Sequence, residues 1–368
     1  MNITFFLGSG ISLESDLPCT KCLTEFLFCK NFSETSAERY VGSNSDSEKV
    51  SEIKCFLKKL KYQYEEYVSY FTKKNYEMNY EDLYYVLEQL KSVDESYLKD
   101  YSILYFKETF RKEVKKNYGE YLRLIKDSSN FIFDVVRSSL YHRKISGLNL
   151  FNEIKFDSDF KQVSIGTLNH DLLIENFLRD EIVDGFRQNG ELRYFEPSEY
   201  ERIDKKFYLY KLHGSINWFY WSKTNSDGTR YPIKLGLKEG GNLGLYDELL
   251  DSDRNKWKIE EDRPILLIGQ NKAFRYYYQD YFELHYQFFK RLKDSTLLIM
   301  SGYGGSDNLI NFRIKDWLES SKENKILFLY EDEQPPHYFL GYKSQYNIIP
   351  KWFSKTTLED IKKSKYLP

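Results

Sequence analysis

The amino-acid sequence predicts an α/β fold: a mostly parallel sheet with helices on both faces, plus an inserted helical subdomain. Three observations predict it. Short apolar runs occur at 3–7, 163–166, 207–212, 265–268, 297–300 and 326–330, and most end at glycine or a small polar turn. Such runs read as buried strands. Stretches with apolar residues three and four apart follow several of them, at 172–178, 274–292 and 308–318. Strands alternating with helices make a parallel sheet. The third observation is the block from about 47 to 141. Its segments Glu48–Phe71, Tyr80–Leu90 and Tyr97–Lys126 carry helical spacing and no proline, and Gly119 is the only glycine between Gly42 and Gly147.

The elements follow in order. Ile3-Thr4-Phe5-Phe6-Leu7 is the first strand and stops at Gly8. Residues 21–30 read as a helix, followed by a polar loop around 42–45 and the helical block. The charges of that block read as solvated helix faces. Residues 222–262 read as a polar, glycine-rich insertion containing Gly236, Gly240, Gly241 and Gly244. The aromatic stretch 274–292 reads as a helix. The expected organisation is a Rossmann-like α/β domain from 1–30 and 146–368, with 31–145 as the inserted helical subdomain. The first strand is therefore far in sequence from the rest of its sheet.

Composition excludes several classes. The net charge of −2 gives no electrostatic footprint for nucleic acid, so direct nucleic-acid binding is not expected. No run approaches the roughly 18 apolar residues a membrane span needs. The apolar start is too short for a signal peptide and no basic region precedes it, so a soluble, cytoplasmic protein is expected. Aromatic residues make up 18%, which reads as packing between elements. The four cysteines, Cys19, Cys22, Cys29 and Cys55, all lie at the start of the chain. Cys19-Thr20-Lys21-Cys22 has the spacing of half a zinc site, but no second pair follows it. Reduced thiols and no metal are the expectation.

Four turns carry polar residues just past a strand, where open α/β sheets place their ligands. The first is Gly8-Ser9-Gly10-Ile11-Ser12. Small residues there let the backbone approach a pyrophosphate, and a following helix N-terminus offers N–H groups to the anion. The usual dinucleotide fingerprint has a third glycine where this chain has Leu13. A plain strand–turn–helix explains this turn equally. The second is Thr167-Leu168-Asn169-His170-Asp171, where Asn169 or Asp171 is otherwise a helix cap. The third is Lys211-Leu212-His213-Gly214. His213 has the residue type of a general base at neutral pH, or is a structural histidine. The fourth is Ser301-Gly302-Tyr303-Gly304-Gly305-Ser306-Asp307, a capped turn on the bland reading.

Taken in order, these turns resemble the sirtuin (silent information regulator) superfamily. Gly8–Ser12 is similar to its G-A-G-x-S loop, with Ser9 in place of alanine. Thr167, Asn169 and Asp171 are similar to its T-x-N-x-D motif, and His213-Gly214 to its catalytic H-G pair. The segment from Ser301 to Asp307 resembles the G-Y-S-x-x-D segment of the bacterial sirtuin-like branch, as does Asp184-Gly185-Phe186. Protein deacylases of the superfamily carry a four-cysteine zinc ribbon after the catalytic histidine and a P-D-F-R run after the glycine loop. Here no cysteine follows residue 55, and Pro18 is followed by Cys19-Thr20-Lys21. The resemblance is therefore to the sirtuin-like NADases of bacterial antiphage defence.

That resemblance implies NAD as substrate, no metal, and cleavage to nicotinamide and ADP-ribose. It implies Asn169 and His213 as the catalytic pair. Gly8, Ser9, Gly10 and Ser12 would hold the pyrophosphate. Thr167 and Asp171 would support the Asn169 turn or meet the ribose, and Gly302, Tyr303 and Asp307 would approach the adenosine half. It also implies a homo-oligomer or a separate activator or sensor, such as a HerA-type ATPase, an Argonaute-type protein or a phage protein. The alternatives are an NAD-dependent deacylase or ADP-ribosyltransferase, and a non-catalytic NAD- or ADP-ribose-binding module.

Overall fold

The structure, a computed structural model, describes residues 1–29, 47–91, 103–114, 116–141, 144–223, 233–238, 248–260, 263–269, 279–331 and 334–364. The chain divides into two compact units. Met1–Leu17, His142–Leu266 and Tyr276–Pro368 form the first; Pro18–Tyr141 and Leu267–Arg275 form the second.

The strands of the first unit are β1 (Asn2–Leu7), β2 (Gln162–Thr167), β3 (Ile182–Val183), β4 (Phe186–Asn189), β5 (Leu192–Phe195), β6 (Phe207–Lys211), β7 (Trp218–Lys223), β8 (Lys234–Leu237), β9 (Glu248–Leu250), β10 (Lys256–Ile259), β11 (Leu297–Ser301), β12 (Lys325–Leu329) and β13 (Tyr346–Ile349). Seven of them form one sheet in the order β13-β12-β11-β1-β2-β6-β3, with every pairing parallel. The expected parallel sheet with helices on both faces is what the chain forms.

Successive side chains of a strand point to opposite faces, and β1 shows the consequence. Ile3, Phe5 and Leu7 pack on one side with Leu150, Phe151 and Ile154 of the helix Asn149–Phe156 and with Leu173 and Ile174 of the helix Leu173–Leu178. Phe6 points the other way, toward Leu284, Phe288 and Leu292 of the helix Gln279–Lys293 and Ile310 and Ile314 of the helix Asn308–Ser320. Both faces are covered, so the strand reads as a continuous apolar run. Each fully buried phenylalanine contributes roughly 1.5–3 kcal/mol of apolar transfer.

The other six strands form a sheet in the order β4-β5-β8-β7-β10-β9, antiparallel at every pairing. One side of it adds Phe186, Phe195, Trp218, Leu235 and Leu237 to the core cluster that contains Phe6. The other side has a small core of its own, formed by Leu192, Phe219, Trp221 and Trp257. This corrects the reading of 222–262 as a polar, glycine-rich insertion to which no strand was assigned. The described parts of that segment supply the end of β7 and all of β8, β9 and β10. Gly240, Gly241 and Gly244 lie outside the described residues. Gly236 sits inside β8, where a Cβ would lie 2.7 Å from Trp221 Cδ1, so glycine there makes room for an indole.

The strand expected at 265–268 is a second correction. Leu266 makes only an isolated antiparallel bridge to Gly214. Leu266, Leu267 and Ile268 are all buried, so the apolar run reflects burial and not a ladder. Of the expected helix 274–292, the described part is Gln279–Lys293.

The second unit is helical: Thr20–Phe26, Ser47–Thr72, Tyr80–Lys91, Leu104–Val114 and Tyr118–Leu140. The helix expected over Tyr97–Lys126 is broken. Asn117 accepts from Glu120 N at 2.9 Å and starts a new helix, as asparagine does at an N-cap. Residues 97–102 of that segment lie outside the described residues. Aromatic pairs hold the unit together, including Phe56 with Phe110 and Tyr84 with Phe133 at 5.5 and 5.1 Å between ring centroids. No helix among the described residues is long and apolar enough to cross a membrane.

Candidate active site

The strand order turns at β1. From it β2, β6 and β3 run outward on one side, and β11, β12 and β13 on the other. In open parallel sheets the crevice outside the carboxyl ends at such a point is where ligands bind. Register brings four strand ends level there. Leu7 pairs with Ser301 and with Thr167, and Thr167 pairs with Lys211. The four turns singled out from the sequence therefore leave the sheet side by side.

The two glycine turns interlock. Gly8 N donates to Ser301 O at 3.0 Å and Gly10 N to Gly302 O at 3.1 Å. A Cβ on Gly8 would lie 2.3 Å from Gly302 O, and one on Gly10 would lie 2.6 Å from Gly302 Cα. Gly302 itself has φ +65°, which favours glycine. Backbone contact between the turns thus demands these glycines whether or not a phosphate binds. The chain after Gly8 forms a 3-10 helix, Ser9–Ser15, and not the α-helix of a dinucleotide fingerprint. Ser9 is exposed, Gly10 is partly exposed and Ser12 is buried.

The Asn169 turn is tied to the first loop by side chains. Asn169 Nδ2 donates to Gly8 O and to Ser12 Oγ, both at 3.1 Å. Ser12 Oγ donates to Asp171 Oδ2 at 2.9 Å, and Leu173 N donates to Asp171 Oδ1 at 3.0 Å. Thr167 Oγ1 donates to Leu7 O and accepts from Asn169 N. One cooperative network therefore links Thr167, Asn169, Asp171 and Ser12. Asp171 accepts from the first N–H of the helix Leu173–Leu178 and braces Ser12 at once.

His213 is 3% exposed, at the end of β6. Its Nε2 lies 3.0 Å from Asp307 Oδ2, and the Asp307 side chain is 8% exposed. Asp307 Oδ1 accepts from Leu309 N and Ile310 N, both at 3.1 Å, so Asp307 is also the N-cap of the helix Asn308–Ser320. Tyr303 reaches this site through its hydroxyl, which accepts from Asp307 N at 3.1 Å and lies 2.8 Å from Asn311 Oδ1. Its ring is buried edge-on against Phe6, and burial pushes its phenol well above the ordinary value. Gly214 has φ +82°, and a Cβ there would lie 2.0 Å from Ile265 O. The glycine after His213 is thus required by the chain that passes over it.

Sequence reasoning missed several residues here. Lys211 is 3% exposed and pairs with Glu175 at 2.8 Å, while also donating to Asp171 O. Burial raises the Glu175 carboxyl, and the Lys211 ammonium opposes that rise. A lysine closing the otherwise apolar run Phe207–Lys211 was the signal that could have found it. His285 Nε2 lies 3.0 Å from Leu212 O, beside His213. Burial lowers the His285 imidazole to about 3, so the ring is neutral and donates to that carbonyl. The His170 ring lies 6.4 Å from that of His213, and the His170 carbonyl accepts from Ile216 N at 3.0 Å.

A family model described as a SIR2-like domain matches residues 163–351, just over half of the chain. The chain belongs to that family. A solved Sir2 homologue in complex with NAD is 11% identical, over 98% of this chain and 87% of its own, with a TM-score of 0.34. A mutant Sir2 homologue in complex with 2′-O-acetyl ADP ribose is 9% identical, over 98% of this chain and 89% of its own, with a TM-score of 0.36. No curated protein matches the chain.

Proposed function

We propose that this chain is an NAD glycohydrolase that cleaves NAD to nicotinamide and ADP-ribose. One observation carries the reading. The Asn169 and His213 turns leave neighbouring strands at the point where the strand order turns, beside two interlocked glycine turns. Membership of the SIR2-like family supports it.

In this reading the bond between the ribose C1′ and the nicotinamide nitrogen breaks, and its electron pair leaves with nicotinamide. The sugar passes through an oxocarbenium-like transition state and water adds to C1′. His213 accepts the proton of that water or of a ribose hydroxyl, a contribution of roughly 10²–10⁴ in rate. Asn169 orients the same groups. Both Nδ2 protons of Asn169 are committed to Gly8 and Ser12, so it acts through Oδ1. Ser9 and Gly10, the open members of the first turn, meet the pyrophosphate. Gly8, Ser12, Thr167 and Asp171 hold that turn and Asn169 in place. Gly302 shapes the turn facing the adenosine half.

Depletion of NAD in antiphage defence is the physiological role that goes with this chemistry. Such an activity requires restraint, through self-assembly or a separate sensor. Phe282 and Tyr286, one turn apart on the helix Gln279–Lys293, are 61% and 54% exposed and are the surface we assign to such a contact.

The test is release of nicotinamide and ADP-ribose from NAD by the purified chain, beside Asn169→Ala and His213→Ala. Release by the parent chain and at least a ~10² loss in both folded variants is expected. Full turnover in both variants would overturn the assignment. Release that requires an acylated peptide would favour a deacylase instead.

A further inference from the structure

The contact between His213 and Asp307 joins turns 94 residues apart and decides which nitrogen of the ring is basic. Two helix N–H groups donate to Asp307 Oδ1, and the helix Asn308–Ser320 begins there. Backbone donors and the positive end of a helix both favour the ionised carboxyl. An ionised carboxylate only accepts hydrogen bonds. Oδ2, 3.0 Å from His213 Nε2, therefore requires the hydrogen to sit on that nitrogen. A neutral imidazole has one N–H, so its basic nitrogen is Nδ1. Tyr303 fixes the arrangement from behind, because its hydroxyl accepts from Asp307 N and lies against Asn311 Oδ1.

We infer that Asp307 is the positioning residue of His213: it holds the ring in the Nε2–H tautomer, makes Nδ1 the proton acceptor and stabilises the imidazolium once a proton is taken. This is a separate role from contact with the adenosine half of a dinucleotide. It rests on the reading of His213 as the base, but its first test needs no turnover. Among the described residues, the titratable or charged groups around the pair include Tyr303, hydrogen-bonded to Asp307, His170, whose ring is 6.4 Å from that of His213, and His285, on which Arg313 of the neighbouring helix also acts. His285 is neutral and cannot replace the carboxylate.

The experiment is nitrogen NMR of the full chain labelled in its histidines, with the His213 signal assigned by its loss in His213→Asn. The parent chain should show the Nε2–H tautomer. Asp307→Asn keeps a capping oxygen but turns an amide donor toward the ring, so the proton moves to Nδ1. The ring pKa should fall by about one unit or more. Asp307→Ser keeps a helix cap without the carboxylate and should lower the pKa in the same direction. With NAD, Asp307→Asn should lower kcat by ~10² or more and leave KM within about threefold. A parent ring protonated on Nδ1, or the same tautomer and pKa in parent and Asp307→Asn, would overturn the inference. A raised KM with unchanged kcat would overturn it too, by making Asp307 a substrate contact. A parent chain with the Nε2–H ring but no NAD cleavage leaves the positioning role standing and removes the proposed function instead.

Discussion

The two sheets of the first unit solve the same packing problem with opposite means. The parallel sheet buries both faces under helices and sends the four polar turns out at one end of the strands. The antiparallel sheet is made of strands no longer than six residues, and a small aromatic cluster fills its second side. In the first sheet backbone register carries the candidate site, since four strand ends are level. In the second, side-chain knots add to the antiparallel ladders, and Asp251 is the clearest of them. The lesson is that a site built on register tolerates little change of backbone, whereas a side-chain knot added to a ladder can be lost while the sheet keeps its shape.

Glycine substitutions give the largest expected difference. Gly214→Ala places a Cβ 2.0 Å from Ile265 O at φ +82°. Gly8→Ala places one 2.3 Å from Gly302 O. In both the obstacle is backbone, which cannot rotate away. Each should cost about 3 kcal/mol or more, and NAD cleavage should vanish with the geometry. Gly190→Ala is the matched change in the second sheet, at φ +65° with a Cβ 2.5 Å from the Asp251 carbonyl carbon. It should destabilise the chain in urea but leave turnover of the folded fraction near that of the parent. Equal loss of turnover in all three would break the distinction between the sheets.

The same difference explains what could be read from the sequence. Gly8, Asn169 and His213 were legible because each follows a largely apolar run, and such runs mark strands buried on both faces. The second sheet was not. β5 reads Leu192-Arg193-Tyr194-Phe195 and β8 reads Lys234-Leu235-Gly236-Leu237, too short for a period to show. Polar residues around Trp257 hid a strand whose indole is buried. The run at 265–268 failed in the opposite sense, since burial without pairing gives the same letters as a strand. Within the site, the turns were legible but the contacts between them were not. Nothing local to Asp307 announces a histidine 94 residues away, and nothing in Gly8 announces that Gly302 is what requires it.

His285 sharpens the comparison through pH. Burial is the first cause that lowers its imidazole to about 3, against an ordinary value near 6.5. The unfolded chain takes up a proton on His285 below about 6.5, and the folded chain does so only near 3. Stability from this residue is therefore complete above about 6.5 and declines as pH falls through that window. The slope is on the order of 1 kcal/mol per pH unit. His285→Gln retains a donor for Leu212 O and does not titrate. Its urea midpoint should fall less steeply between pH 6.5 and 4 than that of the parent, and parallel slopes would show that His285 is not the sensor. The second sheet contains no histidine among its strands, so this acid response belongs to the first sheet and its helices.

The smallest effect is expected at Asp251, in the second sheet. Its Oδ1 accepts from Asp253 N and Asn255 N at 3.0 and 2.8 Å. Its Oδ2 accepts from Asn255 Nδ2 and Trp257 Nε1 at 2.8 and 3.0 Å. Burial alone would raise its carboxyl. The Trp257 indole and the Asn255 and Asp253 donors outweigh that and bring it down to about 2. A depressed carboxyl contributes stability above its unfolded value, near 3.8, and loses that contribution as pH falls toward 2. Asp251→Asn keeps an acceptor but replaces the second oxygen with an amide nitrogen that accepts from neither Trp257 nor Asn255. The change should cost about 1–3 kcal/mol, as for hydrogen bonds to a charged group, and leave NAD cleavage at neutral pH untouched. Trp257 fluorescence should report the loosened knot before the whole chain unfolds. A variant that lost turnover while Trp257 kept its emission would mean that the second sheet supports the site directly, and the contrast between the two sheets would fall.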